Sequence, residues 1–99
     1  MRLKAGVRVA GIKPELLIGL RVAESVYKGV ANAELVVTSI SDGTHKPGSK
    51  HYVGLAADLR TSNVLPLVQD IVFALKAQLD ADFDIVLESD HIHLEYDPK

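Results

Sequence analysis

Apolar residues recur along the chain with two different periods. After Pro14, the residues Leu16, Leu17, Leu20, Ala23, Val26, Tyr27 and Val30 are spaced by threes and fours, which is one face of an amphipathic helix. Pro14 suits the first helical turn, where its missing N–H has no partner to lose. Gly29 and Asn32 stand where the helix should end. A second stripe, Leu65, Val68, Val72, Leu75 and Leu79, predicts another helix. Asn63 is a possible cap for it, although Pro66 favours a start one turn later.

Between and after these stripes the pattern changes. Glu34 to Ile40, "ELVVTSI", is rich in β-branched residues and predicts a strand. "LAADL", "FDIVLE" and "HIHLEY" predict three more, the last two joined by a tight turn near Ser89 and Asp90. "SDGTHKPGSK" is a loop with Asp-Gly and Pro-Gly turn formers. The first dozen residues look like an extended arm. The expected architecture is α+β, a small mainly antiparallel sheet with two helices.

Length and composition narrow this further. The chain has 99 residues, which fits a single domain over 1–99. Its 47% hydrophobic content argues against disorder. The net charge of −2 and the lack of a basic patch argue against nucleic-acid binding. No apolar run approaches a membrane span. "AGVRVAGIK" is too polar for the apolar stretch of a signal peptide, so synthesis in the cytoplasm is expected, as a monomer. The absence of cysteine excludes a thiolate metal site.

The histidines carry the candidate chemistry. Alternation along a strand puts His91, His93 and Glu95 on one face, with Ile92, Leu94 and Tyr96 on the core face. In "LAADLR", Ala56, Asp58 and Arg60 likewise face away from Leu55, Ala57 and Leu59. All four histidines lie in two loop-strand segments. Two histidines and an aspartate suit a borderline divalent metal and leave a position for water. A neighbouring carboxylate, Glu88 or Asp90, would take a proton from that water and pass it to a leaving amine. Glu95 is either a partner of a ligand imidazole or a solvated strand residue, and the solvated reading is favoured.

The segments "SKHYVGLAAD" and "DHIHLE" together resemble the zinc peptidase superfamily of D-alanyl-D-alanine carboxypeptidases, phage L-alanyl-D-glutamate endolysins and the hedgehog signalling domain. Ser49, His51, Gly54, Ala56 and Asp58 match its S-x-H-x-x-G-x-A-x-D motif. The resemblance covers about Val36 to Tyr96 and implies a hedgehog/D,D-peptidase-like fold. It implies His51, Asp58 and His93 as ligands of Zn²⁺, with His91 orienting water or stabilising an oxyanion. His45 would line the site. The base would be Asp90 by the endolysin pattern or Glu88 by the hedgehog pattern, and Glu88 is favoured. His91 as the third ligand is the alternative reading of E-x-x-H. The implied function is hydrolysis of a peptide bond in bacterial peptidoglycan stem peptides, with action on the wall after release, as a phage enzyme acts.

One departure stands out. Many D,D-peptidases carry a carboxylate-gripping arginine in the stretch that reads "TSISDGTHKPGS" here, and this chain has none. His45, Lys46, Lys50 or Arg60 would have to substitute, and an internal bond remains open as the target. Two other functions stay in view: a zinc-stabilised binding module without catalysis, and a non-haem iron oxygenase using the same two-histidine, one-carboxylate set.

Overall fold

Strand β1 (Arg2–Leu3) precedes helix α1 (Pro14–Ala31) in this computed structural model, which describes residues 1–42, 45 and 47–99. Asn32 closes α1 in the left-handed conformation at φ 49, and its N–H turns back to the carbonyls of Lys28 and Tyr27. That satisfies carbonyls the helix end would otherwise leave without partners. Leu16, Leu20, Ala23, Val26 and Tyr27 are buried, as the spacing predicts. Leu17 and Val30 depart from that stripe and are exposed. Leu17 is a quarter-turn off the buried face, and Val30 falls in the last helical turn.

Strand β2 (Val36–Ser39) follows, then a 3₁₀ turn over Lys50–Val53 and strand β3 (Ala56–Arg60). Pro66 delays the second helix as expected. Leu65–Leu67 form a 3₁₀ turn and α2 spans Val68–Gln78. Asn63 does not cap it; its side-chain amide donates to the Glu34 carbonyl at 2.9 Å. Leu65 is exposed and Ile71 takes its place in the buried stripe with Val72 and Leu75. Strands β4 (Phe83–Leu87) and β5 (His91–Tyr96) complete the chain, with the Glu88 N–H bonded to the His91 carbonyl across their turn.

The strand order is β1-β2-β3-β5-β4. Three pairings are antiparallel, but β1 lies parallel to β2, with Arg2 opposite Val36 and Leu3 opposite Val37. The sheet is therefore mixed, and the mainly antiparallel expectation is corrected. The N-terminal arm contains no alternating run long enough to announce a strand, yet its amides find carbonyls on the free edge of β2. Val37, Ala57, Leu59, Ile85, Ile92 and Leu94 pack with both helices in one core. The other sheet face carries the polar side chains. Among the described residues, no helix is long and apolar enough to cross a membrane.

Candidate metal centre

The pairing of β3 with β5 sets Asp58 opposite His93, Arg60 opposite His91 and Ala56 opposite Glu95. Directly paired residues hold their Cβ atoms about 4.5–5.5 Å apart, so these side chains meet on the open face. Ala56 is fully buried there and takes up little room.

His51 reaches the same place from the 3₁₀ turn. The Ser49 hydroxyl accepts from the His51 N–H at 3.2 Å and starts the turn. Gly54 ends it at φ 75, a left-handed conformation costly for any residue with a Cβ. A Cβ there would also run into the carbonyl of Gly11. The Gly54 carbonyl accepts from the Lys13 N–H at 3.0 Å. The glycine thus lets the His51 turn lie flat against the segment leading into α1, and His51 is buried at 2% exposure.

Three imidazoles surround one carboxylate oxygen. Asp58 Oδ1 is 3.2 Å from His51 Nε2, 3.4 Å from His93 Nδ1 and 3.5 Å from His91 Nε2. Each ring is anchored by its other nitrogen. His51 Nδ1 lies 2.7 Å from the Ile40 carbonyl, His93 Nε2 lies 3.0 Å from Glu95 Oε1, and His91 Nδ1 lies 2.7 Å from Asp90 Oδ1. Carbonyl and carboxylate oxygens only accept, so the anchoring nitrogens carry the hydrogens. In neutral rings, the nitrogens facing Asp58 then present lone pairs to an anionic oxygen. That arrangement is repulsive unless a proton or a metal cation lies among them. Single donor atoms of His51, Asp58 and His93 all fall within 4.8 Å of one another, and this nitrogen and oxygen set suits zinc and its neighbours rather than magnesium or calcium.

The electrostatics agree. With protons rather than a metal on the nitrogens that face Asp58, burial works against its ionisation, but hydrogen bonds from His51 and His93 and the nearby charges of His51 and His91 outweigh it and hold the carboxyl well below its usual range. His93 shifts upward, first through its bond to Asp58, against burial, and with help from Glu95.

The remaining candidates fall into two groups. His45 stacks on His51, with ring centroids 3.8 Å apart and planes within 3°. Its Nε2–H donates to the Asp42 carbonyl at 2.8 Å, so it walls the cleft without aiming a lone pair from that atom. Glu88 lines the same cleft, of about 700 Å³, with His91, Ser49 and the three ligand candidates. Asp90 and Arg60 line a neighbouring cavity. Lys50 lies 3.9 Å from Asp97 in an ion pair. Lys46 lies outside the described residues.

Glu95 is not a solvated strand residue. It is part-buried and bonded to His93, and its place two residues after His93 on one strand was the signal that it belonged to the site. The Ile40 carbonyl left no such signal. A second acidic group, Asp84, Glu95 and Asp97, lies within the same span, but Lys99 Nζ sits 3.0 Å from Asp84 and 3.8 Å from Asp97 and offsets part of its charge.

No protein-family model, curated protein or solved structure matches the chain.

Proposed function

We propose that this chain is a zinc peptidase of the superfamily its motifs resemble, hydrolysing a peptide bond in peptidoglycan stem peptides. The observation that carries this reading is the convergence of His51 Nε2 and His93 Nδ1 on Asp58 while both outer ring nitrogens are tied down. Ligands held in this way need no reorganisation to receive an ion. Glu88 opening onto the same cleft supplies the second requirement, a carboxylate beside the metal.

His51, Asp58 and His93 would hold the ion. Zinc, when bound, supplies a Lewis acid and brings the pKa of water to about 7. Glu88 takes the proton from the attacking water and delivers it to the nitrogen as the C–N bond breaks. His91 presents its Nε2 lone pair beside Asp58, where it would accept a hydrogen from the attacking water and orient it. Asp90 fixes the orientation of His91 through the 2.7 Å bond and is a positioning residue. This division favours Glu88 over Asp90 as base, because one Asp90 oxygen is committed to His91.

The test is digestion of defined stem peptides with zinc added or chelated, read by mass spectrometry. Zinc-dependent cleavage at one bond is expected, with Glu88→Gln retaining zinc and losing turnover. A fully zinc-loaded protein that cuts none of the peptides would overturn the reading. The absence of arginine between Thr38 and Ser49 favours, as the second reading, a zinc-stabilised binding module, for which that inert but metal-dependent behaviour is the expected result.

A further inference from the structure

A cavity of about 500 Å³ opens beside the metal cleft and shares Asp58 and His91 with it. Its other walls include Lys4, Arg60 and Ser62. Lys4 comes from the arm just after β1, and its N–H donates to the Val37 carbonyl at 2.9 Å. The parallel pairing that makes the sheet mixed therefore also delivers a lysine to the polar face. Arg60 ends β3 opposite His91, and its carbonyl accepts from the Tyr27 hydroxyl at 2.7 Å.

The charges here are not balanced. Among the described residues neither Lys4 nor Arg60 makes an ion pair, whereas Arg2, Arg21, Lys50 and Lys99 do. Unpaired cations are ordinary on a surface. These two differ in facing one cavity, and Arg60 is part-buried. Of the carboxylates on the walls, Asp58 is engaged by three histidines, and Asp90 bonds His91 with its side chain 86% exposed. The Thr38 and Ser39 hydroxyls also line the cavity, and they donate to the carbonyls of Asp58 and Asp42. Among the described residues, the free donors on these walls are the Lys4 ammonium, the Arg60 guanidinium and the Ser62 hydroxyl.

We propose that this cavity is an anion subsite in which Lys4 and Arg60 hold a carboxylate of the ligand. That the bound carboxylate belongs to a peptide whose scissile bond lies at the metal rests on the peptidase reading above; the anion site does not. Distance sets which carboxylates fit. The Arg60–His91 pair lies two residues from the Asp58–His93 pair, roughly 7 Å along the strand. An extended peptide covers that span in about two residues. The group held is therefore a terminal carboxylate just past the scissile bond, or an acidic side chain adjacent to it. A lysine from the N-terminal arm and an arginine from β3 thus provide a cationic grip without an arginine in the loop before His51.

The experiment is an NMR titration of the zinc-loaded chain with three small peptides: N-acetyl-alanyl-alanine, its C-terminal amide, and N-acetyl-alanyl-glutamate amide. At least one acidic peptide should bind about tenfold or more tightly than the neutral amide, as charge-assisted hydrogen bonds imply. The amides of Lys4, Arg60 and Ser62 should move. The stronger acidic binder tells a terminal from a side-chain carboxylate. The double variant Lys4→Ala, Arg60→Ala should take up zinc and lose the discrimination. Equal binding of acidic and neutral peptides, or discrimination persisting in the double variant, would overturn the subsite. Because binding is read rather than turnover, a protein that grips the acidic peptides and cuts nothing loses the peptidase reading alone.

Discussion

His51 donates its Nδ1–H to the carbonyl of Ile40 at 2.7 Å, and that bond decides what the opposite side of the ring offers. Nε2 is left facing Asp58 Oδ1 at 3.2 Å. A buried ring held this way is ready for a cation before one arrives.

Stability should therefore depend on metal. At a zinc concentration a hundred times the dissociation constant, binding contributes about 2.7 kcal/mol. For a domain of this size that raises the melting temperature by about 10–20 °C. The shift should be absent with chelator, and absent in Asp58→Asn and His51→Ala even with zinc. Calorimetric melts of the three proteins check this, and a variant that keeps the full shift would remove its residue from the ligand set.

Glu95 should matter through His93 alone. Removing a carboxylate that orients a ligand imidazole typically costs about 10–100-fold in metal affinity. Glu95→Ala is expected to weaken zinc binding by that factor while the chain stays folded without metal. Competition with a coloured chelator measures it. Unchanged affinity would mean that the 3.0 Å contact between His93 and Glu95 does not orient the ligand.

Gly54→Ala should destabilise the fold and disturb the site together. The left-handed conformation costs an L-residue about 1–2 kcal/mol, and the collision with the Gly11 backbone adds to it. Gly48 is the internal control. It has φ 78, and a Cβ added there would meet nothing, so Gly48→Ala should incur the conformational cost alone. Urea unfolding compares the two, and zinc titration should show weaker binding only for Gly54→Ala. Equal losses in both variants would rule out the close approach as the reason for Gly54.

Tyr27 gives the fold an alkaline limit. Burial pushes its phenol above the usual tyrosine value, and its hydroxyl donates to the Arg60 carbonyl at 2.7 Å. An unfolded tyrosine titrates near pH ~10. Below that the contribution is fully present. As pH rises from there toward the higher native value, the unfolded chain binds fewer protons than the native one, so stability falls by up to about 1.4 kcal/mol per pH unit. Tyr27→Phe should cost about 1 kcal/mol at neutral pH and flatten this slope. Urea unfolding of the metal-free proteins at about pH 8 and pH 11 tests both; identical slopes would contradict the assignment.

Both helices were legible because their buried faces repeat with the helical period, and Pro14 and Asn32 bracket the first of them. Misreadings fell where periodicity carries no information. Leu65 has the right spacing but sits in the 3₁₀ turn ahead of α2, and Asn63 spends its side chain on Glu34 across the chain. β1 pairs through two residues and has no pattern to detect.

The sequence by itself determined which residues share a face. His91, His93 and Glu95 point one way, and Asp58 and Arg60 point together, because side chains alternate along any strand. It also determined that a glycine follows His51 at the required interval. Only the tertiary structure decided that β3 and β5 are neighbours, which sets Asp58 against His93. That choice depends on burying Leu59, Ile92 and Leu94 beneath both helices at once. The ring nitrogens were decided there too. A backbone carbonyl has no signature in a residue pattern, so the Ile40 anchor and the arrival of Lys4 beside Arg60 became visible only when the chain closed on itself.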